Sequence, residues 1–255
     1  MIVSMDVRPE VRIAEDPSAL AELAAREMLD IARAAVAARG RFTVALAGGS
    51  TPRATYERLA RPPLAAQMPW EQTLVFFGDE RGVPPEHPDS NYGMAHTALL
   101  SQVPIAADHV FRIAGERADS DAVAAEYART VAETFGVRRG EVPRLDLVLL
   151  GVGVDGHTAS LFPGSPVLKE TFRTVAAVHA AAASIPERIT LTYPILNAAD
   201  CVIYLVSGQE KAKVVKAALG DRSSGLPAAM VRPAGRLLWI LDRAAASLLP
   251  PRGTS

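Results

Sequence analysis

A series of short apolar runs without polar alternation limits the architecture of this chain more than any other feature. Leu147-Val148-Leu149-Leu150 and Cys201-Val202-Ile203-Tyr204-Leu205-Val206 are essentially apolar at every position. A strand with one wet face alternates with period two, whereas a strand apolar throughout must be covered on both faces. Similar β-type runs lie at 42–47, 73–77, 145–150, 173–178, 189–192 and 237–241. Helical stretches fall between many of them, at 54–59, 92–100, 119–134 and 210–219. An earlier helix is opened by Asp16-Pro17 and closed by Gly40, with Leu20, Leu23, Ala24, Met28, Ile31 and Ala35 along one face. The order predicts an α/β fold, a three-layer sandwich whose mainly parallel sheet is flanked by helices.

With 255 residues, 49% hydrophobic and 22% charged, the chain has an ordinary globular composition and is expected to form one domain over residues 1–255. No repeat, low-complexity segment or linker interrupts it. A formal net charge of -1 gives no broad basic field, so neither nucleic acid nor an anionic membrane is an expected partner. The one cysteine, Cys201, excludes an intrachain disulfide, reads as a small buried strand residue and suits a reducing compartment. Residues 1–10 lack a basic stretch followed by an apolar core, and no run approaches the length of a membrane span, so a cytoplasmic location is expected.

In open parallel sheets ligands bind beyond the carboxyl ends of the strands, and three such ends carry chemistry. In Gly48-Gly49-Ser50-Thr51-Pro52 two glycines permit a tight turn and Thr51-Pro52 can cap and start a helix, whose first amides attract an anion. The Lys of a nucleotide triphosphate loop is absent, which favours a single phosphate monoester. Asp79-Glu80-Arg81 directly follows an apolar strand, where burial is costly unless the charges are paired or bind something. A long aperiodic loop, His87-Pro88-Asp89-Ser90-Asn91, comes next.

The third end is Gly151-Val152-Gly153-Val154-Asp155-Gly156-His157-Thr158-Ala159-Ser160-Leu161-Phe162-Pro163-Gly164. It contains G-x-G-x-x-G, but Pro163-Gly164 cuts short the helix that a dinucleotide site requires. Asp155, two residues before His157, can instead orient one imidazole nitrogen and leave the other as a base. The remaining histidines, His87, His96, His109 and His179, read as structural. Arg188 and Lys211 lie near a strand start and a helix start where a phosphate could be held, although solvated surface charge is the competing reading for both. There is no G-x-S-x-G elbow, no H-E-x-x-H and no cysteine cluster, which weakens covalent serine and zinc chemistry.

Taken in order from residue 42 to about residue 241, these segments resemble the 6-phosphogluconolactonase family, which shares a Rossmann-like α/β fold with the glucosamine-6-phosphate isomerase/deaminases. The likeness rests on the Gly-Gly-Ser-Thr-Pro loop, Asp79-Glu80-Arg81 with Asn91, the run from Gly151 to Gly164, Arg188-Ile189-Thr190, and Gly208-Gln209-Glu210-Lys211-Ala212. The resemblance implies hydrolysis of 6-phospho-D-glucono-1,5-lactone to 6-phosphogluconate, with no metal or organic cofactor. It makes His157 the general base, oriented by Asp155, with Arg81 offsetting charge at the reacting centre. Gly48, Gly49, Ser50, Thr51 and Lys211 would hold the phosphate, and Asp79, Asn91 and Arg188 would contact substrate. The related deaminases carry a catalytic glutamate five residues after the matching histidine, where this chain has Phe162, and tend to have an aromatic residue at the place of Arg81. Both departures favour the lactonase over the deaminase. A non-catalytic sugar-phosphate sensor is the third reading, disfavoured because neither the N-terminal segment nor residues 250–255 has room for a helix-turn-helix. A monomer acting on a small phosphorylated lactone is the expected form.

Overall fold

In the computed structural model, which describes residues 9–138, 140–181, 183–220 and 224–250, the apolar runs become strands. In chain order these are β1 (Glu10–Ala14), β2 (Phe42–Leu46), β3 (Thr73–Phe77), β4 (Asp79–Arg81), β5 (Leu147–Leu150), β6 (Val175–His179), β7 (Glu187–Leu191), β8 (Cys201–Val206) and β9 (Arg236–Asp242). The helices are α1 (Pro17–Arg39), α2 (Ser50–Leu59), α3 (Asn91–Ala98), α4 (Ser120–Phe135), α5 (Tyr193–Ala198), α6 (Ala212–Gly220) and α7 (Pro227–Met230). Most of the N-terminal segment and nearly all of the tail weighed above lie outside the described residues.

Six strands form a sheet in the order β1-β9-β8-β5-β2-β3, and every pairing in it is parallel. The middle strands β8, β5 and β2 are buried at every residue, as their lack of alternation requires. Each fully buried Leu, Ile or Val there contributes about 1.5–3 kcal/mol, so these strands form the rigid base of the molecule. Cys201 lies buried in β8. Helix α1 begins as its sequence suggests: the Asp16 carboxylate accepts the Ala19 N–H at 2.8 Å, Pro17 takes the first helical position, and Gly40 ends the helix with φ 71°.

Three expectations need correction. Residues 10–14 form a strand that no apolar run announces, because β1 is a mostly exposed edge strand whose one buried residue is Ala14. Asp79-Glu80-Arg81, read as a loop, is strand β4; its charged residues hid it, and it finds its ladder on β7 rather than in the parallel sheet. The runs at 173–178 and 189–192 become β6 and β7, which join β4 in a separate antiparallel sheet of order β4-β7-β6.

Gly78 connects the two sheets. Its N–H donates to the Leu46 carbonyl of β2 at 2.8 Å, and its carbonyl accepts the Leu191 N–H of β7, also at 2.8 Å. The small sheet is thereby fastened to the carboxyl end of the large one, beside the three turns singled out in the sequence.

Candidate active site

The turn from β2 to α2 is built around two glycines. A Cβ on Gly48 would come 1.8 Å from the Asn91 Oδ1, so only glycine allows Asn91 to pack against the loop. Gly49 sits at φ 105°, a conformation that L side chains rarely adopt. It caps α2 without a side-chain hydrogen bond, and the helix begins at Ser50; the cap expected of Thr51 is therefore not formed. The first-turn amides of α2 have no intrahelical acceptors and carry the positive end of the helix dipole. Tyr56 holds the turn in place: its hydroxyl accepts the Ala47 N–H and donates to the Ala47 carbonyl, each at 2.9 Å.

Strand β4 brings its three charges to different surroundings. Asp79 is buried, and its Oδ2 accepts the Ser160 hydroxyl at 2.7 Å while Oδ1 accepts the Asn91 amide at 2.9 Å. Glu80 points away from the cleft and accepts the N–H groups of Arg81, Asn91 and Tyr92 and the Ser90 hydroxyl, at 2.7–3.0 Å. Burial pushes Glu80 above the ordinary carboxylate range, against the pull of these hydrogen bonds. Arg81 faces the cleft, and β4–β7 pairing sets it directly opposite Arg188. Burial lowers the Arg188 pKa from its ordinary value, Asp79 opposing the shift and Arg81 adding to it, but a guanidinium in this environment remains charged. Two cations side by side call for an anionic or strongly polarised ligand.

Beyond β5 the chain crosses Gly151, Val152 and Gly153 and doubles back. The Gly153 N–H donates to the His157 carbonyl at 2.9 Å. A Cβ on Gly153 would lie 2.1 Å from His157 Nδ1 and 2.5 Å from Asp155 Oδ1, so the missing side chain makes the space for this pair. The two groups meet at 2.6 Å, and Asp155 Oδ1 also accepts the His157 N–H at 3.1 Å. Burial works against ionisation of Asp155, but the His157 amide, charge and ring together hold its pKa below the ordinary carboxylate range. A neutral ring that donates Nδ1–H to Asp155 has its acceptor lone pair at Nε2.

Lys211 comes from the turn after β8, where Asp242 accepts the Ser207 hydroxyl at 2.6 Å and the Gly208 N–H at about 3.1 Å. The helix predicted over 210–219 is divided there: Gln209–Lys211 form a 3-10 turn and α6 starts at Ala212.

These turns enclose one cleft of about 230 Å³, lined by Gly48, Gly49, Ser50, Thr51, Asp79, Arg81, His157, Arg188 and Lys211 among others. Ligand pockets commonly span ~300–1,000 Å³, so this one is sized for a small metabolite and not for a dinucleotide. Two of the residues expected here stand behind its wall: Asp155 touches His157, and Asn91 holds Asp79 and abuts Gly48. The Asn91 Oδ1 and Arg81 Nε are buried without a hydrogen-bond partner among the described residues. The roles of Ser160 and Glu80 and the steric role of Gly153 carry no signal of their own in the sequence, although all three are neighbours of the candidate residues. Three of the other histidines have local explanations: His179 meets Glu187 at 2.6 Å, His87 Nδ1 accepts the Asp89 N–H, and His96 packs on Tyr92; the Nδ1 of the fourth, His109, is buried without a partner among the described residues. No group of three or more potential metal ligands occurs among the described residues. No helix among them is long and apolar enough to cross a membrane.

A parallel α/β sheet with a cation-walled cleft and a histidine–carboxylate pair at its carboxyl edge defines an α/β enzyme for small anionic substrates. The chain belongs to the family described as glucosamine-6-phosphate isomerases/6-phosphogluconolactonase, whose model matches residues 15–239. It is 45% identical over 217 residues to a 6-phosphogluconolactonase of Rattus norvegicus, covering 83% of this chain and 82% of that one. It is 38% identical over 245 residues to a 6-phosphogluconolactonase of a Nostoc species, covering 95% and 99%. The solved structure of 6-phosphogluconolactonase from Trypanosoma cruzi superposes with a TM-score of 0.85 at 31% identity, covering 98% and 100% of the two chains.

Proposed function

We propose that the chain hydrolyses 6-phospho-D-glucono-1,5-lactone to 6-phosphogluconate, with His157 activating the attacking water. The observation that carries this reading is the His157–Asp155 pair at 2.6 Å, in the same cleft as the open N-terminus of α2. The α2 amides with Ser50, Thr51 and Lys211 hold the phosphate, which fixes the far end of the substrate and places its carbonyl near the base. Nε2 of His157 takes a proton from water as the water oxygen bonds to C1. Arg81 and Arg188 offset the negative charge that builds on the carbonyl oxygen. The C1–ring oxygen bond then breaks, the imidazolium returns its proton to the ring oxygen, and the free carboxylic acid ionises.

Phe162 favours this chemistry over its relative in the family. Deamination with ring opening calls for a further acid/base group beside the histidine, and the side chain next to the imidazole here is a phenyl ring, 4.5 Å away between centroids. The deciding assay follows 6-phosphogluconate formation from freshly prepared lactone, corrected for spontaneous opening, with unphosphorylated gluconolactone alongside. A strong preference for the phosphorylated lactone is expected. Equal rates on the two would overturn the phosphate assignment, and ammonia release from glucosamine 6-phosphate would assign the chain to the other branch of its family.

A further inference from the structure

We propose that Phe162 is a positioning residue that sets the orientation of both the His157 imidazole and the Arg188 guanidinium. The proposal rests on the reading of His157 as the base and adds to it a group that touches neither water nor the reacting carbon.

The backbone between His157 and Phe162 is arranged to bring the two rings together. Thr158 and Leu161 form an isolated antiparallel bridge, with the Leu161 N–H donating to the Thr158 carbonyl at 2.9 Å. Ala159, between them, takes φ 46°, the left-handed conformation that a residue with a Cβ adopts at a cost. Ser160 locks the reversed chain to the small sheet, its N–H on the Thr190 hydroxyl at 3.1 Å and its hydroxyl on Asp79 at 2.7 Å. The result is that Phe162 returns beside the residue that entered the turn. Its ring lies 4.5 Å from the imidazole, tilted by 35°. Buried Leu161 next to it anchors the segment in the core, while Phe162 itself is only partly buried.

The same ring reaches the opposing arginine. The Arg188 Cζ lies over the face of Phe162 at 5.5 Å, and its Nε donates to the Ile185 carbonyl at 3.0 Å. The Asp155 hydrogen bond at Nδ1 holds one edge of the imidazole and leaves its Nε2 edge without a hydrogen bond among the described residues. The Gly153 backbone closes off the Nδ1 side of the ring, where a Cβ would come 2.1 Å from Nδ1. Phe162 supplies the second point of contact, and by facing Arg188 it holds the spacing between base and cation.

The experiment compares Phe162→Leu and Phe162→Tyr with the unaltered protein, alone and in a His157→Gln background. Thermal unfolding confirms that each variant is folded. Phe162→Leu is expected to lower kcat by about 10- to 100-fold and to raise KM less, whereas the aromatic Phe162→Tyr stays within about threefold of the unaltered rate. In the His157→Gln background Phe162→Leu should lower kcat by less than it does in the unaltered protein, because there is no imidazole left to orient and only the Arg188 contact remains to be disturbed. A folded Phe162→Leu protein with unaltered kcat overturns the proposal, as does a full additive loss in the double variant. Should His157→Gln alone keep full activity, the reading of the base fails, and the ring 15N shifts of His157 still decide this contact. Shifts unchanged by Phe162→Leu overturn it, and averaged tautomer shifts support it.

Discussion

The carboxylate of Asp155 grips His157 twice, through the ring Nδ1 at 2.6 Å and through the backbone N–H at 3.1 Å. One residue thus sets both the course of the backbone and the tautomer of the ring. Asp155→Asn is expected to keep the fold and lower kcat, because an amide can present its N–H to Nδ1 and stabilise the wrong tautomer. His157→Gln should cost more, on the order of 10²- to 10⁴-fold in the catalysed rate. Initial rates on fresh lactone after subtraction of spontaneous opening measure both, and an unaltered rate for His157→Gln would remove histidine from the mechanism.

Gly153 offers a test that leaves every polar group of the site in place. A Cβ at 2.1 Å from Nδ1 cannot be accommodated, and the flexible part of that contact is the His157–Asp155 pair itself. Gly153→Ala should therefore reduce kcat by roughly 100-fold while the far-UV circular dichroism stays unchanged. A fully active Gly153→Ala enzyme would show that the ring need not lie where the structure places it.

Gly48 and Asn91 form a second steric pair, and here the two contributions can be separated by restoring space. Gly48→Ala drives a methyl group into the Asn91 side chain and should displace the phosphate loop, raising KM. Combining it with Asn91→Ala removes the obstruction and should recover part of the affinity, although Asp79 then loses the amide that donates to it at 2.9 Å. If the double variant binds no better than Gly48→Ala alone, the clash is not what weakens the loop.

Lys211 should affect binding more than turnover. Its ammonium lines the cleft on the turn braced by Asp242. Loss of a charge-assisted hydrogen bond worth about 1.5–3 kcal/mol predicts that Lys211→Ala raises KM about tenfold or more, with a smaller change in kcat. The comparison is the ratio of KM values for phosphorylated and unphosphorylated lactone, and an unchanged ratio would take the phosphate away from this residue.

Acid titration probes the loop that follows the site. Glu170 accepts the N–H groups of Thr171, Phe172 and Arg173 and pairs with the Arg173 side chain at 2.6 Å. The Phe172 and Arg173 amides, with the Arg173 side chain, hold its pKa at about 2. Since the folded value lies below the ordinary one, this stabilisation is full above pH ~4.5 and is lost as pH falls toward 2. The difference in stability between the unaltered protein and Glu170→Gln should shrink over that window. A carboxyl resonance of Glu170 titrating near the ordinary value would contradict the arrangement.

The parallel sheet could be read from the sequence because full burial leaves a mark on every residue of β2, β5 and β8. The antiparallel sheet could not, because β4 is Asp79-Glu80-Arg81, whose charges carry no strand period and whose pairing is decided by β7, more than a hundred residues later in the chain. Likewise, the residue types of the site were visible, whereas their division of labour was not. Glu80 stands next to Asp79 and Arg81 in sequence, but only the ladder direction shows that it turns its back on the cleft to accept the first amides of α3. Asn91, a substrate-contact candidate by residue type, is seated against Asp79 and Gly48, a placement that depends on packing depth and not on residue type.

Gly78, with its N–H in one sheet and its carbonyl in the other, joins the two halves of the site. The histidine and the phosphate loop hang from the parallel strands, whereas Arg81 and Arg188 ride on a short ribbon joined to them at the margin. Because Ser160 also ties the turn after His157 to Thr190 and Asp79 of that ribbon, a shift of the ribbon moves the two cations and the base together, and redesign aimed at other lactones has to treat both sheets as one support.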